Sequence, residues 1–243
     1  MANIINLDMI YDYHWNSPIV PSDWERLPFK NFATRYDDII QHFQLGDDEI
    51  CQISAKIENT CRKILMMYHG GQQTLEYEYE FMSTQNRRMP ILIWDSEIRL
   101  LYHLEAMILF GRSALDIFTY VLTRLLLNSR MDSFNSFRKT LLTDIEPKLL
   151  PLKEIILSNQ SDETSWLNIV CSNEQLRSVR DTITHQTTAR IEYYTTDSKS
   201  DREYCHVEIN GKAILLDNFI NEICEGVFQF CISAEDIIIN ECK

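Results

Sequence analysis

The sequence predicts a mainly α-helical protein: a helical bundle around one long central helix, with a small antiparallel β ribbon before the last helix. Three observations predict it. Glycine and proline contribute only 6 residues each in a chain of 243, which leaves little material for tight turns. Apolar residues recur at 98, 101, 104, 108, 115, 118, 122 and 125, a stripe of period near 3.6. Strand-like composition is confined to about 187–216. With 45% apolar and 24% charged residues, the composition is that of a globular domain able to bury about 70% of its unfolded surface. A collagen-like fibre, a coiled-coil rod and a disordered chain are excluded.

Taken in order, the first twenty residues, with Trp15, Pro18 and Pro21, read as an irregular arm or short edge strand. Ser22 followed by Glu25 is a capping box, opening a helix over Asp23–Phe43. Gly46 breaks the chain, and Asp47, Asp48 and Glu49 then supply acids where the positive end of a helix dipole favours them. That helix is expected to end at Gly70-Gly71. LEYEYEF in 72–87 alternates like a strand, but no pairing partner lies nearby, so helix is the weakly favoured reading. The spine, 95–127, would be about 50 Å long, and Gly111 inside it implies a close helix crossing. Further helices are expected at 134–145, 149–158 and Asp162–Val170. Ser172 and Gln175 form a second capping box, which opens NEQLRSVRDTITHQ. TTARIEYYTT, EYCHVEI and KAILL then read as two or three strands, with Asn210-Gly211 as a hairpin turn. A last helix over Asp217–Ile232 turns Phe219, Ile220, Ile223, Cys224, Val227 and Cys231 inward. The ribbon is too short for a core of its own, so 1–243 reads as one helical domain.

Acidic residues outnumber basic ones by 36 to 23, giving a net charge of −13 spread over both halves. Non-specific binding to DNA is excluded on that balance. None of the seven cysteines forms a C-x-x-C pair, and Cys224 and Cys231 fall on an apolar helix face as core thiols would. The start lacks a basic n-region and carries Asp8 and Asp12, unlike a signal peptide. The uninterrupted apolar run Ala106–Gly111 is far too short to span a bilayer. A cytoplasmic, reduced protein without membrane contact is expected. No G-x-G-x-x-G, G-K-[ST], G-x-S-x-G or H-E-x-x-H pattern is present, so neither a cofactor nor a metal is expected.

One segment carries chemistry, Arg177-Ser178-Val179-Arg180-Asp181-Thr182-Ile183-Thr184-His185. Asp181 and His185 are four apart on one helix face, where a carboxylate can hold an imidazole in one tautomer. Arg180 and His185 are five apart, about 140° around an ideal helix, so they converge only through the reach of arginine, a loosened helix end or a second chain. Histidine titrates near neutral pH and moves protons, while arginine offers a fixed fork to phosphoryl oxygens. RNA cleavage by the 2′-hydroxyl needs both and no metal. The structural alternative makes Arg177, Arg180 and Asp181 ordinary helix salt bridges and His185 a C-terminal cap.

R-D-x-x-x-H at a helix end resembles the R-x4-6-H motif of the HEPN superfamily. Arg112-Ser113-Ala114-Leu115-Asp116 resembles the R/S-A-L-D stretch of the long helix beside that motif. The resemblance covers about 95–232, leaving 1–90 as an N-terminal helical elaboration. It implies a HEPN-like bundle that dimerises through the motif helix, and a metal-independent endoribonuclease of the toxin or defence type. Carried over, Arg180 stabilises phosphoryl charge, His185 transfers a proton and Asp181 orients. Arg177 is a position-based candidate for the RNA backbone, and His206 in the ribbon a more distant one. The alternatives are a non-catalytic binding or structural protein on the same scaffold, or an enzyme of small nucleotides.

Overall fold

The computed structural model describes residues 29–86, 90–143, 146–171, 178–185, 189, 191–194, 204–209 and 211–243. Its helices are α1 (Lys30–Thr34), α2 (Tyr36–His42), α3 (Asp47–Asn86), α4 (Pro90–Leu126), α5 (Phe134–Thr143), α6 (Leu150–Gln160), α7 (Trp166–Val170), α8 (Val179–His185) and α9 (Leu216–Glu241). A 3-10 turn, Pro147–Leu149, precedes α6, and strands β1 (Ile191–Tyr194), β2 (Tyr204–Ile209) and β3 (Lys212–Leu215) lie between α8 and α9. The expected arm and both capping boxes lie outside the described residues.

Helices α3 and α4 form an antiparallel hairpin. Arg124 near the end of α4 meets Glu49 at the start of α3, and His103 stacks on Tyr77 towards the other end. Helix α3 runs for 40 residues, about 60 Å, straight through Gly70-Gly71, where the sequence reading ends it. The glycine has a different purpose. A Cβ on Gly70 would lie 3.1 Å from Met107 Cβ and 3.2 Å from the His103 carbonyl oxygen, so the residue permits a close approach of α4. Gly111 does the same from the other helix, with Met67 Sδ 3.0 Å from where its Cβ would be. LEYEYEF is therefore helical, as the last turns of α3.

The spine stripe is buried at Leu104, Ile108, Leu115, Phe118, Leu122 and Leu125. Ile98 departs from it at 57% exposed. By length and composition Asp95–Leu126 suffices to cross a bilayer, which the uninterrupted apolar run does not suggest; 61% of its most apolar window is buried inside the protein.

Helix α9 closes the bundle. Phe219, Ile220, Ile223, Cys224, Val227 and Cys231 are all buried, and burial continues through Ile237, Ile238 and Ile239, which carries the helix to Glu241 rather than Ile232. Arg35 donates to the carbonyls of Ile239 and Cys242, both at 3.2 Å, and so satisfies the end of α9. Over the described part of the helix expected at Asp23–Phe43, from residue 29 on, there are two short helices separated at Arg35. Similarly only Trp166–Val170 of 162–170 is helical, because Asp162 Oδ1 accepts the Thr164 N–H in a turn and Ser165 becomes the N-cap.

The three strands form an antiparallel sheet in the order β1-β2-β3, with Ile191 opposite Val207 and Val207 opposite Ile214. Cys205, Val207 and Ile209 alternate inward along β2 and are buried. Gly211, at φ 78°, makes the β2–β3 turn.

Candidate functional site

Helix α8 is pinned at both ends. Ser178 is fully buried, and its Oγ accepts the Asp181 N–H at 3.0 Å, capping the first turn. Beyond the last turn, Glu105 of α4 accepts the Ala189 N–H at 3.0 Å. Between these points Val179 and Ile183 pack against the core. The motif segment is thereby capped within its own first turn and held to the core by apolar contacts, with one polar tie to α4 beyond its end.

Arg180 and Asp181 sit side by side on the first turn. Arg180 Nη1 donates to Asp181 Oδ1 at 2.6 Å, with the side chains 32% and 21% exposed. The pair is half-buried, so the surrounding protein screens it less than water would. His185 closes the same helix, one turn beyond Asp181; its side chain lies outside the described residues, as does all of Arg177. The sequence-predicted site is therefore one ion pair and a histidine position on a single short helix.

His206 belongs elsewhere. It lies on β2 opposite Glu192 and Leu215, and its charge acts on Glu78 of α3. Glu78 Oε1 accepts the Cys205 N–H at 2.9 Å, and burial raises the Glu78 pKa above the usual carboxylate range. His206 thus adjoins Cys205, whose N–H bond to Glu78 seats the ribbon on α3.

The Arg112–Asp116 stretch forms a buried polar knot. Arg112 Nε donates to Asp116 Oδ2 at 2.9 Å and Arg112 Nη1 to Asn135 Oδ1 at 3.1 Å, while Asp116 Oδ1 accepts the Phe134 N–H at 2.8 Å. Arg112 thus joins α4 to the first turn of α5. Two neighbours escaped the sequence reading. Arg138 of α5 is 5% exposed, and burial lowers its pKa, an effect opposed by nearby Cys171. Cys171 follows α7; burial raises its thiol pKa against the pull of Arg112 and Arg138. Their convergence needs the α4–α5 crossing and the return of α7, so no spacing in the chain announces it. Among the described residues, no group of three or more His, Cys, Asp and Glu side chains is placed to hold a metal ion.

Fold and site together define a mainly α-helical bundle carrying an arginine–aspartate pair and a histidine on a short helix docked to α4. No protein-family model matches this chain, no curated protein matches it, and no solved structure matches its fold.

Proposed function

We propose that this chain is a HEPN-like, metal-independent endoribonuclease of the toxin or defence type, acting as a homodimer paired through α8. The supporting observation is the Arg180–Asp181 pair at 2.6 Å, on a pinned helix that places His185 one turn further on. In the proposed reaction the 2′-oxygen of RNA attacks the adjacent phosphorus and the bond to the 5′-oxygen breaks. The products are a 2′,3′-cyclic phosphate and a 5′-hydroxyl. His185 moves a proton in that exchange, Arg180 faces the charge on the phosphoryl oxygens, and Asp181 holds the guanidinium in place. Arg177 is proposed to meet the RNA backbone.

The test is cleavage of mixed-sequence single-stranded RNA in EDTA. Removing a proton-transfer group, or a donor to the developing charge, costs about 100-fold or more, so both His185→Ala and Arg180→Ala should lose at least that while retaining the wild-type circular dichroism spectrum. Activity surviving in His185→Ala would remove the catalytic assignment.

The same ion pair favours one second reading, a non-catalytic HEPN-like binding protein, because a guanidinium bonded to its own neighbour serves structure as well as chemistry. That reading predicts intact RNA in every sample and a loss of thermal stability in Arg180→Ala.

A further inference from the structure

Away from α8, the seam between α3 and α4 brings cations and aromatic rings together. On α3 it is edged by Gln52, Lys56, Asn59, Lys63, Met66, Gly70, Gln73 and Tyr77, in alternating steps of four and three. None of these eight is acidic, although the same series continues to Glu49 and Glu80 at its ends and Gln73 Nε2 donates to Glu76 at 2.6 Å. Three cations along the seam lie over aromatic rings. Lys56 Nζ is 5.1 Å from the Tyr120 ring centre and Lys63 Nζ is 4.8 Å from that of Phe110, while the Arg99 guanidinium is 5.8 Å from Tyr77. Tyr77 stacks on His103 at 5.2 Å and 11°, and Tyr102 meets His103 edge-on. Tyr102 itself is 67% exposed.

We propose that this seam is a track for single-stranded RNA, with Lys56, Lys63 and Arg99 meeting phosphates and Tyr102 stacking on a base. The seven-residue repeat sets Lys56 and Lys63 about 10 Å apart along one edge. Cations interleaved with rings are what a flexible single strand needs: charge for its backbone, and flat faces that accept any base. Asp95 pairs with Arg99 at 2.9 Å, but both side chains are about half exposed, so a phosphate displaces the carboxylate at little cost. The track also leads towards α8. Tyr102 is one turn from Glu105, whose carboxylate holds Ala189 just past the motif helix. As a substrate track the seam rests on the ribonuclease reading; as an RNA-binding surface it does not.

The probe is a labelled oligouridylate of about twelve nucleotides with 2′-O-methyl groups, which the proposed reaction cannot cleave, followed by fluorescence anisotropy. Lys56→Glu/Lys63→Glu should weaken binding more than tenfold and make the slope of log affinity against log salt shallower by about 1.4. Tyr102→Ala should weaken it about tenfold with the slope unchanged. Lys30→Glu/Lys212→Glu, which alters net charge equally on exposed residues elsewhere, should change it less than twofold. No binding by wild type, or equal losses in the two lysine pairs, overturns the track. So does a loss confined to Lys56→Glu/Lys63→Glu with Tyr102→Ala unaffected, which marks a patch that meets backbone charge without stacking a base. Seam-dependent binding without any cleavage keeps the track and removes the ribonuclease. Cleavage with unchanged KM in the seam variants does the reverse.

Discussion

Two residues show how closely the packing is specified. Gly226 of α9 lies beneath Trp166: a Cβ there would be 2.0 Å from Trp166 Cγ and 2.1 Å from Cδ1. The indole is 3% exposed and has no open side to move into, and its backbone N–H is held by Glu222 at 2.9 Å. Gly226→Ala should therefore cost about 3 kcal/mol, read as a lower urea midpoint with an unchanged slope. Glu235, also on α9, is fully buried and accepts the Phe29 and Phe32 N–H groups, each at 2.8 Å. These are the otherwise unmet donors at the start of α1. Glu235→Gln keeps one acceptor oxygen and sets an N–H group against a second one, so a loss of about 2 kcal/mol is expected in the same measurement.

Among the elements, the hairpin of α3 and α4 is locked at one end by a forked ion pair. Arg124 Nε and Nη2 reach the two oxygens of Glu49 at 2.6 and 2.9 Å. Those bonds hold the Glu49 pKa at about 2, down from an ordinary 4.5. A carboxylate with a depressed folded-state pKa contributes stability above its unfolded value and loses it as pH falls through the folded one. The stability gap between wild type and Arg124→Met should therefore be constant above about pH 5 and close towards about pH 2. Glu78 has the opposite sign: burial raises its folded pKa, so its charge opposes folding at neutral pH. Glu78→Gln should raise the melting temperature near neutral pH, and the gain should vanish in acid. The existence of these helices was legible from the apolar period of α4 and the acidic first turn of α3. Their lengths were not. Gly70-Gly71 reads as a stop when only local propensity is weighed, and becomes an interior pair because Met107 crosses there. The end of α9 was equally hidden, since its last turns depend on Arg35 arriving from 204 residues away.

For the whole molecule, the bundle with its late ribbon follows from few turn residues and one dominant helical stripe, and that much was readable from the chain. Of the candidate site, the helical placement of Arg180, Asp181 and His185 was readable because all three lie within six residues. The tie to Glu105 was not, since Glu105 is 84 residues from its partner. The knot of Arg112, Arg138 and Cys171 was hidden for the same reason. An acidic protein that handles RNA must do so at local sites, so overall charge carries little weight against the proposal. The most direct measurement is the chemistry of the ends produced when the wild-type chain meets single-stranded RNA in EDTA. The proposed function predicts 2′,3′-cyclic phosphate and 5′-hydroxyl ends that disappear in Arg180→Ala; intact RNA, or 3′-hydroxyl and 5′-phosphate ends, would contradict it.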